Sequence, residues 1–282
     1  MCSTSTCARD YSTMTDPINL LGYRFFQYAL LGGSVAALVC ALVGVFVILR
    51  KESMIGDGVA HISFGGIALG LFLGVNPLYT ALIVSILGVL AIGYMRRHGL
   101  AQSDSAIAVM LSVGFSTGLI LISLAGGFNV DLFSYLFGSI LTIGLDDLVI
   151  VTGLGLVSIV VIGVFYKELL SITFDEESSR LMGVPVGLLS TILNVLVAVT
   201  IVLSIKVVGM ILVAALLVIP GLTALQFGMN FRDTSITAIL LGVTSVIVGV
   251  FASAIFNVAT SGVIVFTLVA FFLATAAWRM HG

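Results

Sequence analysis

Read from the amino terminus, the chain alternates long, uninterrupted apolar runs with short polar joints. The runs fall at roughly 25–49, 54–75, 77–95, 105–125, 147–166, 186–205, 207–229, 234–256 and 259–277. Each is close to the ~20 residues that a helix needs to cross a bilayer, at about 1.5 Å per residue. None alternates residue by residue as the strands of a membrane barrel do. The pattern predicts an all-α, polytopic integral membrane protein with eight to nine transmembrane helices. Two stretches depart from plain spans. Pro220 and Gly221 interrupt the seventh run; a proline there removes a helical hydrogen bond and predicts a kink, a feature that often lines a cavity. The stretch from Asp131 to Leu141 is too short to cross and reads as a short helix lying at the outer surface.

The joints carry the orientation. Arg50 and Lys51 follow the first run, Arg96 and Arg97 the third, Lys167 and Arg180 the fifth, Arg232 the seventh and Arg279 the ninth. The other joints are acidic or uncharged apart from Lys206. Because cytoplasmic loops hold the excess of Lys and Arg, this alternation predicts an N-terminus outside and a C-terminus in the cytoplasm of a cell membrane. Residues 1–24 read as a polar, disordered tail and 25–282 as a single transmembrane unit, since the longest joints, about 126–146 and 167–185, leave no room for a soluble domain. The segment near 174–185 has Asp175, Glu176 and Glu177 in a first helical turn, Arg180 further on and Gly183 as terminator. Those placements suit a short amphipathic helix. It is either a handle for a soluble partner or a solvated connector.

Composition narrows the function classes. Hydrophobic residues make up 60% and charged residues 9% of the chain, with a net charge of −2, so no basic surface points to nucleic acid. No Gly-x-x-x-x-Gly-Lys-Ser/Thr sequence occurs; ATP, if used, is handled by another subunit. No His-Glu-x-x-His occurs either, and the three histidines are His61, His98 and His281, which argues against an intramembrane metalloenzyme. Cys2 and Cys7 lie in the tail and Cys40 in the first run; too few further ligands accompany them for a metal site.

Set inside the second run, Asp57 and His61 are four residues apart and therefore share a helix face, with Cβ atoms about 5–6 Å apart. Ionisable side chains within a span cost several kcal/mol unless they meet a partner or a watery path. A carboxylate with an imidazole suits Zn²⁺, Mn²⁺ or Fe²⁺. One helix offers two ligands, too few for tight binding, whereas a two-fold homodimer brings four to its axis. The plainer alternative is that Asp57 caps the helix start while His61 hydrogen-bonds a neighbour. Gly66, Gly70 and Gly74 make a flat stripe for helix packing, and Asp104 reads as an N-cap. Asn194, Ser204, Ser253, Asn257, Thr260 and Ser261 read as interhelical hydrogen-bonding groups.

The stretches Leu49-Arg-Lys-Glu-Ser-Met-Ile-Gly-Asp57-Gly-Val-Ala-His61, Tyr135-Leu-Phe-Gly138, Phe174-Asp175 through Gly183-Val-Pro185, and Val208-Gly-Met-Ile-Leu-Val-Ala-Ala-Leu-Leu-Val-Ile-Pro220 resemble the permease subunit of metal ABC transporters of the ABC-3 type. That family imports zinc, manganese or iron. The resemblance covers nearly the whole chain after the tail and implies a type II importer-like fold. It implies that Asp57 and His61 contact the metal in its path, and that Phe174, Asp175, Arg180 and Gly183 belong to a coupling helix docking on an ATPase. It also implies a homodimer or a pair of closely similar permeases, ABC ATPase subunits that handle the ATP, an extracytoplasmic metal-binding protein, and no prosthetic group. The expected cargo is zinc, with manganese or iron as the alternatives. Two rivals are a related permease for chelated iron or a vitamin cofactor, and an ion-gradient transporter that needs no ATPase.

Overall fold

In hydrocarbon each backbone N–H and C=O must find its partner within the segment, so apolar runs of this length become helices. The computed structural model describes residues 22–126, 135, 136, 138, 144–256 and 258–281, and among these there is no strand. The helices are α1 (Arg24–Leu49), α2 (Ile55–Leu73), α3 (Pro77–Arg97), α4 (Ser103–Leu124), α5 (Leu145–Val164), α6 (Tyr166–Phe174), α7 (Glu176–Leu181), α8 (Val186–Val208), α9 (Met210–Leu225), α10 (Phe231–Phe256) and α11 (Thr260–His281). Eight of them are long and apolar enough to cross a membrane; α9, with 16 residues, is shorter. Cys2, Cys7 and Arg9, Asn257, and all of the 131–141 stretch except Tyr135, Leu136 and Gly138 lie outside the described residues.

The seventh run holds a break that the sequence reading does not single out. The helix continues through Pro220, and the interruption falls at Gly209, whose φ of 90° and ψ of 155° end α8 and start α9. Proline removes one hydrogen bond, but a residue with positive φ turns the chain itself, and glycine adopts that conformation without a Cβ clash. Lys206 then lies in the last turn of α8 rather than in a joint, 3.4 Å from the Asp147 carboxylate at the start of α5 and 5.4 Å from the centre of the Tyr135 ring. Its charge is met by an acid, which explains one cation among the otherwise acid or neutral joints.

The basic joints converge on one end of the bundle. Arg96 from α3 is 2.6 Å from Glu52 in the α1–α2 joint, Arg50 donates to Ser190 of α8 at 3.1 Å, and Arg97 donates to Thr191 of α8 at 3.3 Å. Phe231 of α10 sets its ring against Phe46, Tyr166 and Phe174 at the same end. The Asp147–Lys206 pair marks the opposite end of α8.

Small residues set the closest helix contacts, as expected where lipid offers no hydrophobic drive between helices. A Cβ on Gly65 would lie 2.6 Å from the carbonyl oxygen of Gly114 on α4, and one on Gly66 2.6 Å from the Ala81 Cα on α3. Gly70 packs in the same way on Pro77, whereas Gly74 caps α2 with φ 66° instead of packing. The tightest approach is α1 on α9: a Cβ on Gly44 would collide with the backbone carbonyl of Leu217. Gly44→Ala should therefore destabilise the chain by about 1–3 kcal/mol through overpacking, seen as a lowered thermal midpoint in detergent. An unchanged midpoint would refute this contact.

Candidate functional site

α2 is the most enclosed of the eight candidate spans, with 72% of its apolar window buried against 67% for α1 and 61% for α8. α3, α4, α8 and α9 all pack on it. Along this helix the buried positions run almost unbroken from Val59 to Ala68, yet Met54 and Asp57 are exposed and His61 is half-buried. Residues at i, i+3 and i+7 fall on one face. That face carries the carboxylate and the imidazole, and among the described residues it is left open.

No side chain caps α2, whose N-cap is Met54; Asp57 is the acid of its first turn, where the helix dipole favours negative charge. His61 meets α4, with the Phe115 ring edge-on at 5.2 Å. Its Nδ1 is buried and has no hydrogen-bond partner among the described residues. The capping expectation for Asp57 thus has no cap bond behind it, and the neighbour expected to satisfy His61 is absent for that nitrogen. A metal site needs more than these two groups: among the described residues no three His, Cys, Asp or Glu side chains come together. One copy of the chain brings two candidate ligands together.

Asp104 is expected as an N-cap; the cap is instead Gln102, two residues earlier, so that α4 starts at Ser103 and Asp104 sits in the first turn. The hydroxyls behave as interhelical groups, Ser204 pairing with Cys40 at 3.2 Å and Ser63 with Ser85 at 2.7 Å. Ser253 pairs with Thr260 at 2.6 Å.

The 174–185 segment resolves into the end of α6, the six-residue α7 and a turn. Asp175 caps α7, accepting from the backbone N–H groups of Glu177 and Ser178 at 3.0 Å each. The Ser178 hydroxyl also donates to it at 2.5 Å, and that bond, ahead of the backbone ones, holds the Asp175 carboxyl below the usual carboxylate range. Gly183 turns the chain with φ 82°. Phe174, Leu181 and Met182 stand 65%, 85% and 70% exposed, three large apolar side chains on a polar joint.

Sequence reasoning missed Glu52. It is 5% exposed, with Arg96 Nη1 at 2.6 Å and Arg50 Nη2 at 3.6 Å. Arg50 also approaches Glu176 of α7 at 3.9 Å, and Glu176 approaches Arg180 at 3.9 Å. Glu52 accepts the first turn of α2 as well, through Ile55 N–H to its carbonyl at 2.9 Å. A continuous chain of ion pairs thus runs from α7 to the start of the helix that carries Asp57.

The chain is 33% identical to the manganese transport system membrane protein MntC of Halalkalibacterium halodurans, over 87% of this chain and 84% of that one. It is 34% identical to the manganese import system permease protein ScaB of Streptococcus gordonii, over 89% of this chain and 92% of that one. Its fold matches a chain of PsaBC from Streptococcus pneumoniae, solved in complex with Fab, with a TM-score of 0.82 at 34% identity, covering 91% of this chain and 92% of that one. Residues 22–279 match the ABC 3 transport family. With these matches and its apolar spans, the chain belongs to the ABC 3 transport family, as a multi-pass permease subunit of a metal ABC transporter.

Proposed function

We propose that this permease imports manganese, as a homodimer in which Asp57 and His61 of each copy form the metal contact. The observation that carries the reading is the open face of α2, where an exposed carboxylate and an imidazole with an unpartnered Nδ1 lie on the most enclosed span. An ionised aspartate facing hydrocarbon would cost several kcal/mol. A second copy across a two-fold axis removes that exposure and doubles two ligands to four. Oxygen and nitrogen donors suit Mn²⁺, which binds more weakly than Fe²⁺ or Zn²⁺ to a given site. A carrier must release its cargo, and a site assembled from two copies, which opens when they rock apart, does so readily.

The names of the two relatives support manganese, and they lend nothing to the zinc expected from sequence. Zinc remains the second reading because the same side chains ligate it. In the proposed assembly ABC ATPase subunits dock below on α7, the exposed Phe174 and the turn at Gly183, and an extracytoplasmic metal-binding protein delivers the ion from above. The basic end of the bundle is then cytoplasmic, with the C-terminus there, the N-terminus outside and residues 1–24 a tail before a single transmembrane unit. ATP binding moves α7, and the Glu176–Arg50–Glu52 chain passes that movement to α2. The ion is cargo, and its chemistry here is exchange of water for carboxylate and imidazole ligands and back.

Deleting the gene for this chain in its host should lower cell manganese severalfold and leave zinc near its usual level, read by elemental mass spectrometry in metal-limited medium. A fall in zinc alone would move the assignment to zinc. No change in any transition metal would remove the metal-import reading.

A further inference from the structure

A second polar feature lies at the basic end of the bundle, away from the α2 face. A cleft of about 340 Å³ opens between the last turn of α3, α7 and the first turns of α8, walled by Arg96, Arg97, Glu176, Arg180, Ser190 and Asn194 among others. Three arginines meet one glutamate there. Behind the Ser190 wall stands a fourth guanidinium: Arg50, with a side chain only 4% exposed, donates from Nη2 to Ser190 Oγ at 3.1 Å. Its Nη1 is buried with no acceptor among the described residues. Glu52 and Glu176 are the acids paired with these arginines, and Asp175 and Glu177 flank Glu176 on α7.

An internal ion-pair network that served structure alone would satisfy its buried donors, and here Arg50 Nη1 is left over. In the cleft itself the exposed Arg97 and Arg180 present planar forks that match the oxygens of a phosphate. Its position at the membrane edge follows from α3, where Tyr94, 54% exposed, stands two residues before Arg96 and Leu87, 60% exposed, about two turns further back.

We propose that this cleft is a phosphate-binding site for a phosphomonoester or phosphodiester group, supplied by an anionic phospholipid headgroup or by free phosphate. Arg97 and Arg180 hold the group at the rim, and Ser190 and Asn194 offer hydrogen bonds from the α8 wall. A bound phosphate bridges α3 to α7 and fixes α7 against the bundle. The site is independent of the cargo: it requires only that the chain sit in a membrane with this end at a lipid headgroup layer.

The test uses the full-length chain, purified in detergent and stripped of lipid. It is titrated with mixed micelles holding phosphatidylglycerol or phosphatidylcholine, with bound lipid counted by native mass spectrometry. A parallel titration with inorganic phosphate follows the thermal midpoint. One phosphatidylglycerol should bind more tightly than phosphatidylcholine, and Arg97→Gln and Arg180→Gln should each weaken it about fivefold, in line with one basic group per step. Arg232→Gln, an exposed cation outside the cleft, should leave it unchanged. A rise in the midpoint with inorganic phosphate, lost in the same two variants, would assign the site to free phosphate; no such rise together with selective phosphatidylglycerol binding assigns it to the lipid. Equal binding of both lipids with no phosphate protection would overturn the proposal, and so would equal weakening by Arg232→Gln. Arg97 is exposed and makes one side-chain bond, to Thr191, so its variant remains folded if Arg180→Gln does not.

Discussion

Asp57→Ala and His61→Ala should each lower manganese uptake by about 10- to 100-fold or more, with the amount of protein in the membrane unchanged. Loss of groups that merely support a metal ligand costs that much, and these two are proposed as ligands. A structural role predicts a different result. Asp57 is exposed and makes no cap bond at Met54, so alanine there removes no packing and no hydrogen bond among the described residues. His61 is half-buried against Phe115, and its truncation opens a small gap that a thermal midpoint would register. The informative pair of measurements is therefore uptake and thermal midpoint on the same variants. Uptake at the usual level in both alanine variants would reject the metal role, and a loss of uptake that tracked a loss of protein would reject it too. His61→Gln keeps much of the volume but has no imidazole nitrogen to ligate the ion, and it should behave as His61→Ala does.

How much of this was legible in the sequence depends on the length scale of the signal. The long helices follow from runs of about 20 apolar residues, and the shared face of Asp57 and His61 follows from a spacing of four. The openness of that face does not follow from spacing, because it depends on which flanks of α2 are covered by α3, α4, α8 and α9. The break at Gly209 was not singled out, because it rests on a positive φ, which glycine permits and no sequence rule demands. α6 was read as part of a polar joint since Lys167 and Glu168 fall in its first turn, while Leu169 and Ile172 are buried beneath it. Glu52 was invisible for a related reason. A charged residue in a joint between spans usually faces water, and only the arrival of Arg96 from a helix 44 positions away turns it inward.

Glu52→Gln should destabilise the chain by about 3–5 kcal/mol, the range for removing one charge of a buried pair, and should uncouple ATP hydrolysis from uptake in whatever fraction stays folded. The carboxylate is 6% exposed and serves two guanidiniums, one of them, on Arg50, only 4% exposed. Glutamine retains the shape and one acceptor but leaves those two cations uncompensated, and Arg50 already carries an unpartnered Nη1. The backbone adds a second cost. Lys51 holds φ 58° to turn the chain from α1 into α2, a conformation that disfavours residues with a Cβ. The inward pull of Arg50 and Arg96 on Glu52 is what this turn has to offset it. With that pull weakened, the start of α2 is free to shift, and Asp57 lies two residues into that helix. Arg96→Gln is the informative companion: Arg96 is 27% exposed, so its loss leaves Glu52 still paired with Arg50 and should cost clearly less. Thermal midpoints that ranked Arg96→Gln as the more damaging change would show that Glu52 is not the hub, and an intact ratio of uptake to hydrolysis in Glu52→Gln would show that α7 reaches α2 by another route.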